Sequence, residues 1–294
     1  MPDPSPASSP AMAGKTVLVT GATAGIGEVA AVELARRGAS VIVVGRDPKK
    51  LDATVARVRK ETGKDAADAF LADLTAQSQV RRLAEQVRSR HPRLDVLLNN
   101  AGAIFSKRSE TADGIERTFA LNHLAYFLLT NLLLDNLKAA GHARVVNVSS
   151  MAHQSVPGGI NFDDIEGKVK YSGWTAYAQS KLANILFSNE LARRLEGTGV
   201  TSNALHPGIV STDFTAGNGA MGWVYRRLYS VIGISSETGA KTSIHLAASP
   251  EVEGVTGGYF AKSKPAKTAK PAQDREAARR LWELSERMTG AVSA

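Results

Sequence analysis

The stretch Lys15-Thr16-Val17-Leu18-Val19-Thr20-Gly21-Ala22-Thr23-Ala24-Gly25-Ile26-Gly27 decides how the chain folds. It opens as a short β-branched run. Glycines follow at 21, 25 and 27, and Val29, Val32, Leu34 and Ala35 then recur with helical period as far as Gly38. With the next β-branched run at 40–44, the stretch is a strand, a glycine turn, a helix and a strand. A right-handed crossover places both strands in one parallel sheet. Glycines at such a turn allow a tight bend and let a pyrophosphate approach the backbone amides at the positive end of the helix.

The alternation continues outward. Asp47 caps a helix with Pro48 at its first position, and the periodic segment runs to Gly63. Strand signals return at 69–72, 94–98, 144–148, 200–206 and 258–260, with helical segments near 75–90, 112–139, 173–196 and 236–248. About seven strands alternating with helices give an α/β fold, a doubly wound Rossmann sheet in a single domain over residues 14–294. Residues 1–13, rich in Pro, Ser and Ala, read as a disordered tail and not as a signal peptide. Two segments break the rhythm: a Gly-, Asp- and Lys-rich insert at 152–173, and an apolar excess at 217–234.

Of the 294 residues, 43% are hydrophobic and 22% charged, enough for a sizeable core. The absence of cysteine excludes disulfides, a thiolate nucleophile and cysteine-based zinc sites, and fits a cytoplasmic protein. Of the formal charge of +8, half comes from Lys262, Lys264, Lys267 and Lys270, interleaved with proline and small residues instead of stackable aromatics. That pattern reads as a solvated loop, with no nucleic-acid partner. The longest apolar stretch, 124–137, is too short to span a bilayer and is interrupted by Thr130, Asn131 and Asp135.

Arg46 stands just past the second strand, where an acidic residue would bind the adenosine ribose of NAD; a guanidinium there suits a 2′-phosphate, so NADP is the expected cofactor, with NAD as the alternative. Tyr177 and Lys181 lie one helical turn apart on one face. A free phenol has a pKa near about 10, and a neighbouring ammonium lowers it toward the range useful for proton transfer. The same spacing also occurs on solvated helices, so the pair gains meaning only from its neighbours. The six histidines show neither metal-ligand spacing nor a serine-hydrolase order, and Gly-x-Ser-x-Gly is absent, so no metal site is expected.

These motifs together resemble the short-chain dehydrogenase/reductase family. Thr20-Gly21 with Gly25-Ile26-Gly27 resembles its cofactor loop, Asp73-Leu74 its adenine-contacting pair, and Asn99-Asn100-Ala101-Gly102 its fourth-strand signature. Asn122, Ser150, Tyr177 and Lys181 follow the order of its catalytic tetrad, and Pro207-Gly208 with Thr212 matches the segment flanking the nicotinamide. Residues 111–116, 121–130, 177–186, 206–208 and 279–283 are similar to the retinol-dehydrogenase-like branch. Many members of that branch carry a lysine just after the glycine loop where this chain has Glu28, a carboxylate that disfavours a nearby phosphate. They also often carry an N-terminal membrane anchor, which residues 1–13 do not resemble.

The resemblance implies hydride transfer between a nicotinamide and a carbonyl or alcohol carbon. Tyr177 would be the general acid or base, and Lys181 would depress its pKa and bind the nicotinamide ribose. Ser150, favoured over Ser149 by the family match, would face the substrate oxygen. Asn122 would either position a water linked to Lys181 or kink its helix. The apolar segment 217–234, with Gly217, Gly219 and Gly222 as hinges, is a candidate lid over a small apolar substrate; a packing helix or a peripheral membrane contact beside Arg226 and Arg227 are the other readings. The helices containing 124–137 and 185–195 offer a face for a homodimer or homotetramer. A non-catalytic dinucleotide sensor or scaffold is the alternative function; a protochlorophyllide-reductase-like enzyme fits less well, since it looks to a cysteine that this chain lacks.

Overall fold

The β-branched runs and apolar periods form the elements they foretell. The computed structural model describes residues 11–208 and 234–291. β1 (Thr16–Thr20), α1 (Gly25–Arg36) and β2 (Ser40–Gly45) make the first βαβ unit. α2 (Pro48–Thr62) is capped by Asp47, whose carboxylate accepts from the amides of Lys49 and Lys50, and it stops at Gly63 in the left-handed region. β3 (Ala67–Leu71), α3 (Gln77–Arg90) and β4 (Val96–Asn99) follow. The next helical stretch is divided into α4 (Arg117–Phe119), a π-helical turn (Ala120–Leu124), α5 (Ala125–Leu132) and α6 (Leu134–Lys138). β5 (Arg144–Val148), α7 (Gly173–Arg194), β6 (Thr201–His206), α8 (Ser236–Ala248), β7 (Tyr259–Ala261), β8 (Lys264–Pro265) and α9 (Arg275–Thr289) complete the described chain.

The sheet runs β3-β2-β1-β4-β5-β6-β7-β8, parallel except for β8. Val17 pairs with Val41 on one side and Val96 on the other, so the strand order reverses between β1 and β4. Alternate strand residues serve opposite layers. Val17, Val19, Val41 and Val43 pack under α1, α2 and α8, while Leu18, Ile42, Leu97 and Val145 pack against α3, α5 and the second half of α7.

Three expectations need correction. The sheet has eight strands where the sequence gives about seven, because the lysine-rich loop turns back as β8 through Lys262 and Ser263, both at positive φ (52° and 59°). Pro265 is tolerated there because β8 is the edge strand. Met12, assigned to a disordered tail, is buried in the α1 layer, with its amide donating to Arg37 O. The single helix expected over 112–139 is interrupted at the π-helical turn and again at Leu133.

The apolar helices offered as a subunit face have a partner within the chain. Leu124, Phe127, Leu128, Phe187 and Leu191 are buried within this one chain. The amphipathic helix α9 lies across them: Trp282 meets Phe127 edge-on (4.9 Å between centroids) and stacks on Phe187 (5.8 Å). These apolar residues therefore pack against the chain's own C-terminal helix.

Candidate active site

At the carboxyl ends of β1 and β4, backbones approach closely. Thr20 Oγ1 accepts from the amides of Asn100 (2.9 Å) and Ala101 (3.0 Å). Asn100 Nδ2 donates to Thr20 O (2.8 Å) and reaches Gly21 O at 3.3 Å. A Cβ on Gly21 (φ 64°) would stand 2.9 Å from Ala101 Cα, and one on Gly27 would strike Gly21 O and Asn100 Nδ2. Ile26 packs at the edge of the α1 layer. α2, α7, α8 and α9 each begin with a side chain accepting from a first-turn amide, whereas α1 begins at Ala24 with none. Amides presented without a side-chain cap, in a cradle where two methyl groups would clash, fit a dinucleotide pyrophosphate.

The outer cofactor residues lie along the same edge. Arg46 is exposed one residue past β2. Glu28, the carboxylate that would oppose a phosphate, pairs with Arg57 Nη1 at 2.8 Å. Asp73 follows β3 and caps its own turn through Thr75 N (3.0 Å) and Oγ1 (2.8 Å); Leu74 is buried beside it. The paired asparagines divide their work: Asn100 ties down the glycine turn, while buried Asn99 donates to Thr130 Oγ1 and Asn147 Oδ1, both at 3.0 Å. Thr212 and the candidate lid, apart from Ile234, lie outside the described residues.

α7 is fixed at its start, where Ser172 caps Thr175 and a Cβ on Gly173 would collide with Phe105 O. It carries Tyr177 and Lys181 inward, at 7% and 2% exposure. Lys181 Nζ donates to Val148 O (3.0 Å) and lies 5.7 Å from the centre of the Tyr177 ring. Complete burial brings the Lys181 pKa down to about 7. The two serines after β5 point apart: Ser149 Oγ donates to Lys181 O (2.6 Å), whereas Ser150 Oγ accepts from Ala152 N at 3.2 Å on the less buried side.

Asn122 sits in the π-helical turn, a local widening that recurs at functional sites. Its Nδ2 donates to Ala103 O (2.9 Å) and Ser180 Oγ (3.0 Å), and its Oδ1 accepts from Ala103 N (2.9 Å). Gly102 packs closely against it: a Cβ there would stand 3.2 Å from Asn122 Oδ1 and 3.3 Å from Lys181 Nζ. The structure thus brings Asn122, Ser150, Tyr177 and Lys181 to the carboxyl ends of β4 and β5, beside the glycine turn.

Three residues were not picked out by the sequence. Tyr126 places its ring 5.8 Å from Lys181 Nζ, and burial pushes its phenol far up in pKa; its helical spacing from Asn122 was a legible signal. Asn184 Nδ2 shares Val148 O with Lys181, at 3.2 Å. His153 is fully buried, and its Nε2 accepts from Ala269 N at 3.2 Å, which leaves the proton on Nδ1 to be donated to Ser150 O at 2.7 Å. Among the described residues, no group of three or more His, Cys, Asp or Glu could hold a metal ion.

A doubly wound sheet with an anion cradle at its switch point and a buried Tyr-Lys pair across from it defines a dinucleotide-binding α/β protein. The chain belongs to the short chain dehydrogenase family, whose sequence profile matches residues 15–222. It is 44% identical to retinol dehydrogenase 13 of Homo sapiens over 283 residues, covering 94% of this chain and 85% of that protein. A crystal structure of an uncharacterized protein from Mycobacterium paratuberculosis superposes with TM-score 0.78 and 36% identity, covering 98% and 97% of the two chains. An NAD(P)-dependent gluconate 5-dehydrogenase from Beutenbergia cavernae, with NADP bound at low occupancy, gives TM-score 0.68 and 28% identity over 86% of this chain and 97% of that one. The protein is accordingly an oxidoreductase of this family that works with a nicotinamide dinucleotide on a small molecule. Among the described residues, no helix is long and apolar enough to cross a membrane.

Proposed function

We propose that the protein is an NADP-dependent oxidoreductase that moves a hydride between the nicotinamide and an apolar or aromatic aldehyde, ketone or secondary alcohol, with Tyr177 as general acid and base. The observation that carries this reading is the Tyr177-Lys181 pair, buried one helical turn apart, with Nζ held on Val148 O and Ser150 just past the end of the same strand. When bound, the reduced cofactor supplies the hydride and leaves as the oxidised form. In reduction the hydride goes to the carbonyl carbon, and Tyr177 gives its phenolic proton to the carbonyl oxygen and regains one from solvent. Ser150 Oγ donates to that oxygen and shares its developing charge.

In its protonated form Lys181 acts on the phenol from inside a poorly screened environment, so its charge counts for more than it would in water. Nζ is also the group that would hold the nicotinamide ribose, while the amides of 21–27, Asp73 and Leu74 would hold the other end. Asn122 Oδ1 and Lys181 Nζ converge at Gly102, and a water bridging these polar groups would return protons to the pair. Exposed Arg46 supports the 2′-phosphate, and the Glu28-Arg57 pair removes the charge that would oppose it.

Oxidation of NADPH across a panel of aromatic and aliphatic aldehydes and ketones tests the reading. Turnover of the apolar members supports it; no turnover with any member returns the protein to the class of dinucleotide sensors. For the cofactor, Arg46→Ala should weaken NADPH binding on the order of tenfold, the worth of one charge-assisted contact, and leave NADH binding unchanged.

A further inference from the structure

We propose that Trp174 is the aromatic platform of the substrate site, so that preferred substrates carry a flat aromatic or conjugated body next to the carbonyl. The inference rests on the carbonyl-reducing reading above and specifies which carbonyls the site prefers.

Trp174, Tyr177 and Lys181 follow one another at helical spacing on one face of α7. Their exposures fall from 48% through 7% to 2%, so this face runs from solvent to the buried pair. The Trp174 and Tyr177 rings are 6.0 Å apart, tilted by 44°. A flat body lying on the indole would therefore carry its attached carbonyl toward the phenol.

The first turn of α7 is also rigid, which a platform needs. Ser172 caps it, Gly173 is pressed on Phe105 O, and the preceding Tyr171 hydroxyl bonds Phe105 O (3.0 Å) and Glu116 Oε1 (3.2 Å). An indole displayed on so fixed a backbone loses little entropy on meeting a ligand.

The distribution of exposed apolar side chains points the same way. Among the described residues, the large exposed apolar side chains are Leu71, Met151, Val169, Trp174 and Val255. Met151, Val169 and Trp174 all fall in the chain between Ser150 and Tyr177, on the segment that joins these two site residues. Apolar surface concentrated beside a reaction centre marks a binding surface.

The test compares 2-acetonaphthone with 2-butanone for the wild type, Trp174→Ala and Trp174→Phe, with NADPH affinity as the check on folding. The preference for the naphthyl ketone, as the ratio of kcat/KM values, should fall about tenfold or more in Trp174→Ala, chiefly through KM. Trp174→Phe should retain most of it. An unchanged ratio in Trp174→Ala overturns the proposal, as does a change of oligomeric state with the ratio intact, which would make the indole an interface residue. Calorimetric binding of 2-acetonaphthone to the NADP-loaded protein provides a readout that needs no turnover. If the wild type reduces neither ketone, the reduction reading fails; weakening of about tenfold in Trp174→Ala would still sustain the platform, and equal affinity would overturn it.

Discussion

Around the glycine turn the site depends on a backbone approach too close for a Cβ, whereas along α7 it depends on hydrogen bonds from buried side chains to backbone carbonyls. At residues 20–27 and 99–102 the fit depends on missing atoms: a Cβ on Gly21 or Gly27 would enter space already held by Ala101, Asn100 or the turn itself. On α7 the fit depends on atoms present, through bonds from Lys181 and Asn184 to Val148 O and from Ser149 to Lys181 O. The first region should fail abruptly on gaining a methyl group. The second should lose function by degrees as individual groups are removed, while the fold survives.

The largest effect on cofactor binding should come from the backbone-built side. Gly27→Ala forces the glycine turn away from Asn100, and NADPH affinity should fall at least about a hundredfold, a loss fluorescence titration would reveal. A variant that binds NADPH normally would show that the cradle has slack. A substitution remote from the cofactor should behave differently. Trp282→Ala leaves a cavity where α9 covers Phe127 and Phe187, and should cost about 3–5 kcal/mol in chemical denaturation. NADPH binding by the folded protein should remain intact; if it falls in step with stability, the two regions are not separable.

A more gradual effect concerns Lys181 and depends on pH. A free lysine titrates near about 10.4, and the buried one near about 7. Between these values the unfolded chain holds a proton that the folded protein has released, so stability rises with pH, by at most about 1.4 kcal/mol per unit. The shifted histidines act below this window, and the raised tyrosines oppose the slope only above about pH 9, where the unfolded phenols begin to ionise first. Burial lowers His123 to about 3 and holds His153 and His206 below the ordinary imidazole value, while burial raises the Tyr126, Tyr171 and Tyr259 phenols. Lys181→Met should therefore flatten the stability profile between pH 7 and 9. A slope that persists would assign the titration to another group.

What could be read from the sequence follows the same division. The glycine turn, Asp47 with Pro48, and the Tyr177-Lys181 spacing are local patterns, and local patterns survive without a fold in view. The split duties of Asn99 and Asn100, the bond from His153 to Ser150 O, and the meeting of Tyr126 with Lys181 join residues distant in the chain, and only packing brings them together. α9 shows the limit most plainly. Residues 279–283 match relatives in sequence, yet that Trp282 covers the face expected to join two subunits follows from where α5 and α7 lie. Likewise, the period of residues 112–139 reads as one helix because apolar spacing does not register the extra residue of a π-helical turn at Asn122.

The central claim is that Tyr177 supplies the proton that accompanies hydride transfer, and Tyr177→Phe tests it most directly. With NADPH and a carbonyl substrate of the wild type, the variant should bind NADPH within about twofold of wild type and lose on the order of a thousandfold in kcat. Turnover at the wild-type rate with NADPH binding intact would contradict the account.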